Sequence, residues 1–432
     1  MSIRNENRPG YKKTKIGWIP EEWNCVRLRE IAPVCTNGFV GKATDHYSEE
    51  KNAVLYVQGY NVNVEGIDYT GMKRVALAFH KKQKRSELKE GDILTIQTGE
   101  IGTSVLVPKD LEGANCHALI ITRLKKEVSD TRYYAHYFNS SYGMKSFVKI
   151  STGSGLKHLN CGDVKELYVP CPDVNEQRRI ATILSAWDRA IDQVRALIES
   201  KKKLKKGLMQ QLLTGRMRFP EFGKPAKKGQ LPEGWRQVKI GDLLEEVSRP
   251  VNFNDETFYP LISVRRNSGG AFYRETLKGS NIATKNLFVT KQGDFLISKM
   301  QVLHGAMAMT PAEFDGMHIS GSYISLVPKN KNDFSIEYFN YLAQTPKMYH
   351  KAYISSHGVH IEKMTFDLDL FLNEKVVVPA KKEQEKIVRT IRSIEQTIGL
   401  LEASVEHFRQ QKKGLMQKLL TGEVRVHLAK NK

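Results

Sequence analysis

No stretch of the chain approaches the ~18 consecutive apolar residues that a membrane-spanning helix requires. The segment Met1–Lys13 is polar and lacks the apolar core of a secretory signal. Neither membrane insertion nor secretion is expected, and the expected location is cytoplasmic. Cysteine is scarce and oddly placed. The five residues Cys25, Cys35, Cys116, Cys161 and Cys171 all lie in the first half, and none forms a Cys-x-x-Cys pair. An odd count without ligand spacing fits neither a disulfide framework nor a zinc site.

The signatures of catalysis are missing too. There is no Gly-x-x-x-x-Gly-Lys-Ser/Thr phosphate loop, and no Gly-x-Gly-x-x-Gly opens a helix. The run Gly99–Gly102 is only a Gly-Glu-Ile-Gly turn. The Asn/Asp-Pro-Pro-aromatic motif by which amino-methyltransferases hold their target nitrogen is absent. His357 and His360 are three apart in a glycine-containing loop without a nearby third ligand, so they read as loop or DNA-contacting residues, not metal ligands. Pro172-Asp173 and Glu199-Ser-Lys201 carry the letters of a metal-dependent nuclease site. Glu199 stands about 26 residues along a helix from Asp173, about 39 Å away at 1.5 Å per residue, so no ion joins them. The expectation is a chain with no catalytic residue, no metal site and no cofactor of its own.

Positive charge is what the chain has in excess. Of 432 residues, 67 are Lys or Arg against 47 Asp or Glu, a formal net charge of +20. At 40% hydrophobic residues the chain has enough to build ordinary cores. A folded protein this basic points to a polyanionic partner, double-stranded DNA ahead of an anionic membrane. Basic clusters stand at Lys81–Arg85, Lys201–Lys206, Arg265-Arg266 and Lys412-Lys413.

A duplication sets the architecture. Lys206-Gly-Leu-Met-Gln-Gln-Leu-Leu-Thr-Gly215 returns 207 residues later as Lys413-Gly-Leu-Met-Gln-Lys-Leu-Leu-Thr-Gly422. The same offset aligns Pro172 with Pro379, Glu176-Gln177 with Glu383-Gln384, and Ile180 with Ile387. Ile19-Pro-Glu-Glu-Trp23 and Leu231-Pro-Glu-Gly-Trp235 form a further pair at an offset of 212. So long a period is a repeated domain, not a solenoid. The copies end in long helices. One apolar stripe runs Ile180, Leu184, Trp187, Ile191, Val194, Leu197 and Ile198, and the other Ile387, Ile391, Ile394, Ile398, Leu401 and Val405. Two such stripes in a duplicated chain are expected to pack against each other, antiparallel, about a pseudo-two-fold axis.

Between the helices lie short β-type runs: Ala53–Val57, Asp92–Ile96 and Ser104–Val107, then Leu261–Val264, Asp294–Ile297 and Tyr323–Val327. Tyr133–Phe147 and Ile336–Tyr349 are aromatic helix candidates. The fold class is therefore α/β, a mixed domain made twice. The division expected is 1–172 for the first domain, 173–214 for the central helix, 215–379 for the second domain (215–230 its linker), 380–424 for the closing helix and 425–432 for a tail.

DNA-contacting residues are sought in loops at strand ends. Arginine reads guanine O6 and N7, and Asn or Gln reads adenine N6 and N7. Arg265, Arg266 and Asn267 follow a strand, and Gln58, Tyr60 and Asn61 are their positional counterparts. Gln97 and Thr98 correspond to Lys299 and Gln301, each after a Gly-Asp-Ile/Phe-Leu strand. Lys157, His158 and Asn160 correspond to His357 and His360 before the last strand of each domain.

The domain–helix–domain–helix plan, the Pro-Glu-x-Trp openings, the Glu-Gln-x-x-Ile helix starts and the closing Gly-Leu-Met-Gln-x-Leu-Leu-Thr-Gly segments together resemble the specificity subunit of type I restriction–modification systems. That resemblance spans nearly the whole chain. It implies two target recognition domains, each reading half of a split DNA target. The helices would fix the separation and dock two methyltransferase (modification) subunits carrying S-adenosylmethionine. A restriction/translocase subunit would add ATP and Mg chemistry. A self-contained methyltransferase or nuclease with a fused reader would need a cofactor pocket, for which the sequence has no motif. A purely structural coiled-coil scaffold would need neither the charge nor two α/β domains.

Overall fold

The computed structural model describes residues 5–225, 229–358 and 364–426. They form two compact units, Met1–Ala196 with Glu402–Lys432, and Leu197–Leu401. The division cuts each long helix in two, so each unit owns one α/β region and a helical arm from both helices.

In the first unit a four-stranded antiparallel sheet has the order Ser104–Leu106, Ile93–Ile96, Leu119–Arg123, Val34–Asn37. In the second unit the order Met307–Met309, Phe295–Ser298, Tyr323–Pro328, Leu244–Glu246 repeats it strand for strand. The central strands Ile93–Ile96 and Phe295–Ser298 are wholly buried. That is why they read as mostly apolar, Ile-Leu-Thr-Ile and Phe-Leu-Ile-Ser, instead of alternating. Asp92 and Asp294 precede them and are buried at 1% and 2% exposure. Each carboxylate is held by an arginine from a neighbouring segment: Arg123 at 2.7 Å and Arg249 at 2.5 Å. A second sheet in each unit pairs one strand parallel, Asn115–Cys116 with Val54–Val57 and His318–Ser320 with Phe258–Val264.

Each aromatic helix candidate is two helices. Ser140 leaves helical geometry, and its hydroxyl caps Gly143, so Thr131–Asn139 is followed by Ser141–Ile150. Pro346 breaks the second candidate into Ile336–Leu342 and Pro346–Ile354, because proline cannot continue a helical ladder. Their aromatics fill the two main cores: Tyr133, Tyr134, Phe138 and Phe147 in one, Tyr338, Phe339 and Tyr341 in the other.

The long helices are Val174–Leu212 and Lys381–Leu419, 39 residues each. Within each unit their arms run antiparallel. In the first, Trp187 meets Phe408 edge-on at 5.7 Å and Asp188 pairs with Lys412. In the second, Lys205 pairs with Glu395 at 2.9 Å. Asp188 and Glu395 are equivalent under the 207-residue offset, as are Lys205 and Lys412, so one ion pair is made twice. Of the stripe residues, Ile180, Leu184, Ile191, Ile387, Ile391, Ile398 and Val405 are buried, while Trp187, Val194, Ile394 and Leu401 are half-buried. Leu197 is a correction. It is 43% exposed, and Ile198, the next residue round the helix, takes the inward position.

The repeated motifs meet at one point in each unit. Trp23 donates to Glu176 at 3.0 Å and Trp235 to Glu383 at 3.1 Å. Arg425 and Arg218 clamp the same carboxylates. Gln177 accepts from the Asp130 amide and donates to the Pro172 and Val128 carbonyls. Gln384 likewise accepts from Ser335 and donates to Pro379. Gly422 (φ +69°) and Gly215 (φ +67°) end the helices against Pro20 and Pro232, where a Cβ would approach the proline ring to 2.4 Å. The Thr-Gly stop is therefore also a packing requirement.

Candidate nucleic-acid interface

In the first unit, the turn after the central strand meets the hairpin of the 150s. Gln97 Nε2 donates to His158 Nε2 at 3.1 Å, and His158 Nδ1 donates to Thr98 Oγ1 at 2.9 Å. Backbone bonds from Leu159 to Gln97 and from Gly99 to Lys157 reinforce the junction. Gln97 is only 3% exposed, and its Oε1 has no hydrogen-bond partner. A buried acceptor left unpaired is costly in a folded protein. Lys157 and Asn160 are exposed beside it. Two separately expected clusters thus meet, with Thr98, Lys157, His158 and Asn160 at the surface and Gln97 buried behind them, a correction to its expected contact with DNA.

The third cluster is not part of it in the same sense. Asn61 is fully buried, accepting from the Gln58 amide at 3.0 Å and donating to the Asp68 carbonyl at 2.7 Å. It clamps a turn and faces no solvent, a correction to its expected role in contacting DNA. Gln58 donates to the Tyr47 hydroxyl, and the exposed Tyr60 donates to the Gly71 carbonyl.

The second unit joins a different pair of these loops, the first and second clusters instead of the second and third. Arg265, Arg266 and Asn267 are exposed at the tip of the hairpin Phe258–Val264/Ala271–Lys278. The Asn267 amide donates to the His304 carbonyl at 2.6 Å, in the turn that Gln301 opens. Gln301 repeats the feature seen at Gln97, a buried Oε1 without a partner. Lys299 Nζ donates to the Gly321 carbonyl at 3.1 Å. His357 is exposed and lies 3.5 Å from Asp367. Asp367 sits below its ordinary pKa, first through the Leu370 amide and then through His357. His360 falls outside the described residues. Among the described residues no group of three His, Cys, Asp or Glu side chains is placed to hold a metal, and no helix is long and apolar enough to cross a membrane.

One basic feature of the first unit has only part of its signal in the sequence. A concavity of about 610 Å³ beside the edge strand Val34–Asn37 is lined by Lys84, Arg85, Lys89, Arg123 and Lys165, with Glu87 as its one acid. Arg123 is neutralised by Asp92, whereas Lys84, Lys89 and Lys165 make no ion pair among the described residues. The Cys161 thiol nearby is held below its ordinary pKa, first by its hydrogen bond with Cys35 and then by Lys165 and Arg85. Lys84 and Arg85 belong to a run visible in the sequence. Lys89, Arg123 and Lys165 join it only through the fold.

Comparison with known proteins agrees with the plan. The model of the type I restriction modification DNA specificity domain matches residues 20–201 and again 232–406. A Methanocaldococcus jannaschii protein named for the MjaX type I restriction enzyme specificity subunit is 25% identical over 432 residues, covering 96% of this chain and 97% of its own. The MjaVIII specificity subunit of the same organism is 23% identical and covers 94% of each chain. Among solved structures, a chain of a type I R-M system studied for complex assembly and conformational transition shares the fold at a TM-score of 0.56. It is 19% identical, covering 94% of this chain and 99% of that one. With a recognition region and a helical arm made twice over, and a matching family domain on each copy, the chain belongs to the type I restriction–modification DNA specificity family.

Proposed function

We propose that the chain is the non-catalytic DNA-reading subunit of a type I restriction–modification complex, each unit contacting one half of a bipartite duplex target. The observation that carries this reading is that in each unit a further loop converges on the turn after the central strand. Gln97, Thr98 and His158 meet in one unit, and Arg265–Asn267 meet the Gln301–His304 turn in the other, each beside the central strand of the same four-stranded sheet. The exposed side chains among them, Thr98, His158, Arg265, Arg266 and Asn267, offer the donors and acceptors that base edges require, and the excess charge supplies the attraction to phosphate.

The helices serve as the spacer and as the docking surface for two modification subunits carrying S-adenosylmethionine. ATP and Mg belong to a separate restriction subunit. Near-identical helix ends beside divergent recognition loops fit this division, because equivalent partners need equal surfaces while each unit reads its own bases. The test is duplex binding by the full-length chain with its modification partners, titrated with salt and competed with unrelated DNA. Affinity falls with a log–log slope of about −0.9 per neutralised phosphate, and one duplex outcompetes the rest. The isolated chain binds no S-adenosylmethionine. A slope near zero, or cofactor bound by the chain alone, contradicts this reading.

A further inference from the structure

The tip of the second unit's hairpin is a tight turn tethered by remote residues. Asn267 (φ 56°) and Ser268 (φ 54°) are consecutive non-glycine residues in left-handed backbone, although Gly269 and Gly270 come directly after them. The two-residue turn, closed by the Gly269 amide on the Arg266 carbonyl at 3.1 Å, requires that conformation at both positions; Asn adopts it readily and Ser does not, so Ser268 is where the turn needs support. Here the Asn267 amide donates to His304 O at 2.6 Å, and the Ser268 amide to Gly305 O at 3.0 Å. The Ser268 hydroxyl lies 2.6 Å from the Tyr349 hydroxyl, 81 residues away in sequence.

The first unit supplies an internal control for Tyr349. There Phe147, on the helix Ser141–Ile150, packs on Gly102 (φ +89°), and a Cβ at Gly102 would lie 2.8 Å from its ring. In the second unit Tyr349, on Pro346–Ile354, packs on Gly305 (φ +72°), and a Cβ would lie 2.2 Å from its ring. Both glycines precede the equivalent edge strands, Ser104–Leu106 and Met307–Met309. The packing therefore needs an aromatic ring but no hydroxyl. The hydroxyl is an addition of the second unit, and it reaches the turn.

Charge around that turn is of one sign. The segments Ser263–Phe272, Lys299–Ala306 and Thr345–Ile354 contain Arg265, Arg266, Lys299, Lys347 and Lys351, and no Asp or Glu. Lys351 is paired with Glu374, and the Arg265 guanidinium lies 4.2 Å over the Phe272 ring. Arg266 is exposed and makes no ion pair among the described residues.

We propose that Tyr349 is a positioning residue for base reading by the second unit: through Ser268 it pins the left-handed turn so that Arg266 meets one G·C pair in one orientation. This rests on the proposed DNA-reading function. A guanidinium recognises guanine O6 and N7 through two parallel donors, so it discriminates only when its approach is fixed. With the tether cut, attraction to phosphate persists while the base preference relaxes.

The test maps methylated sites in a methylation-free host expressing the full chain with its modification partners. Wild type is compared with Tyr349→Phe, Ser268→Ala and the double variant, alongside the thermal midpoint of each chain. Each single variant relaxes the preference at one base pair of one half-site about tenfold. The other half-site and the midpoint stay unchanged. The double variant is no worse than either single one, since all remove the same bond. Unaltered preference in Tyr349→Phe, with a bipartite site in the wild type, overturns the proposal and leaves DNA reading intact. Lowered midpoints with methylation abolished at every site also overturn it, because Tyr349 is then purely structural. A wild type that methylates no bipartite site removes the DNA-reading function, and this proposal with it.

Discussion

Trp235 donates its indole N–H to Glu383 at 3.1 Å, and the same carboxylate takes Arg218 at 2.8 Å, with both members of that ion pair almost fully buried. The equivalent set in the first unit is Trp23, Glu176 and Arg425, but there the arginine is 36% exposed and also pairs with Glu22. Removing one partner of a buried pair strands the other, at about 3–5 kcal/mol. Glu383→Ala should therefore cost about that much, while Glu176→Ala costs distinctly less because Arg425 can turn to water and Glu22. Chemical denaturation of the two variants compares them directly, and equal losses would contradict this difference in burial.

His136 lies in the first unit against the helical arms, with Ser185 Oγ at 3.3 Å and Asp188 and Lys412 as charged neighbours. Burial pushes its pKa down to about 4, and Lys412 adds to the effect. Between about pH 6.5 and pH 4 the unfolded chain binds a proton that the folded chain does not. Stability is therefore complete above about pH 6.5 and falls as pH drops through this window, by about 3 kcal/mol in all. His136→Gln should flatten the pH dependence of the melting temperature in that range. An unchanged slope would show that other groups carry it.

The basic concavity should contribute position rather than sequence preference. Replacing Lys84 and Lys165 with alanine is expected to lower the salt slope by about 0.9 for each phosphate no longer neutralised, equally for cognate and unrelated duplexes. A selective weakening on the cognate duplex would assign these lysines to base reading instead.

Much of this architecture is legible in the sequence, and the limits have physical causes. The motifs repeat because each binds a backbone or a buried charge that the other copy must also satisfy, as Gln177 and Gln384 do. Arg218 and Arg425 escape notice because their flanks differ, Gly-Arg-Met-Arg against Gly-Glu-Val-Arg. The break at Pro346 is written in the sequence, whereas the break at Ser140 depends on a cap. Recognition loops are hardest to read, because their partners are remote: His158 joins Gln97 across 61 residues and Tyr349 joins Ser268 across 81. Asn61 shows the converse, a polar loop residue whose amide oxygen and nitrogen are both turned inward to backbone partners.

If the helices set the spacing of the two half-sites, lengthening one changes that spacing. Four helix-forming residues inserted between Val194 and Leu197 add about 6 Å and rotate the remainder of the helix by about 40° beyond a full turn. At about 3.4 Å per base pair, the methylated site should gain one or two base pairs between unchanged halves. A folded, active insertion variant that keeps the original spacing would leave the helices as a docking surface only.

The central claim is that one chain holds two independent readers. Its most direct test replaces residues 231–379 with the second domain of another family member and maps the methylated sites of the assembled hybrid. One half-site should change to the donor's, while the other half and the spacing remain. A hybrid that assembles and methylates but alters both halves, or neither, would contradict the account.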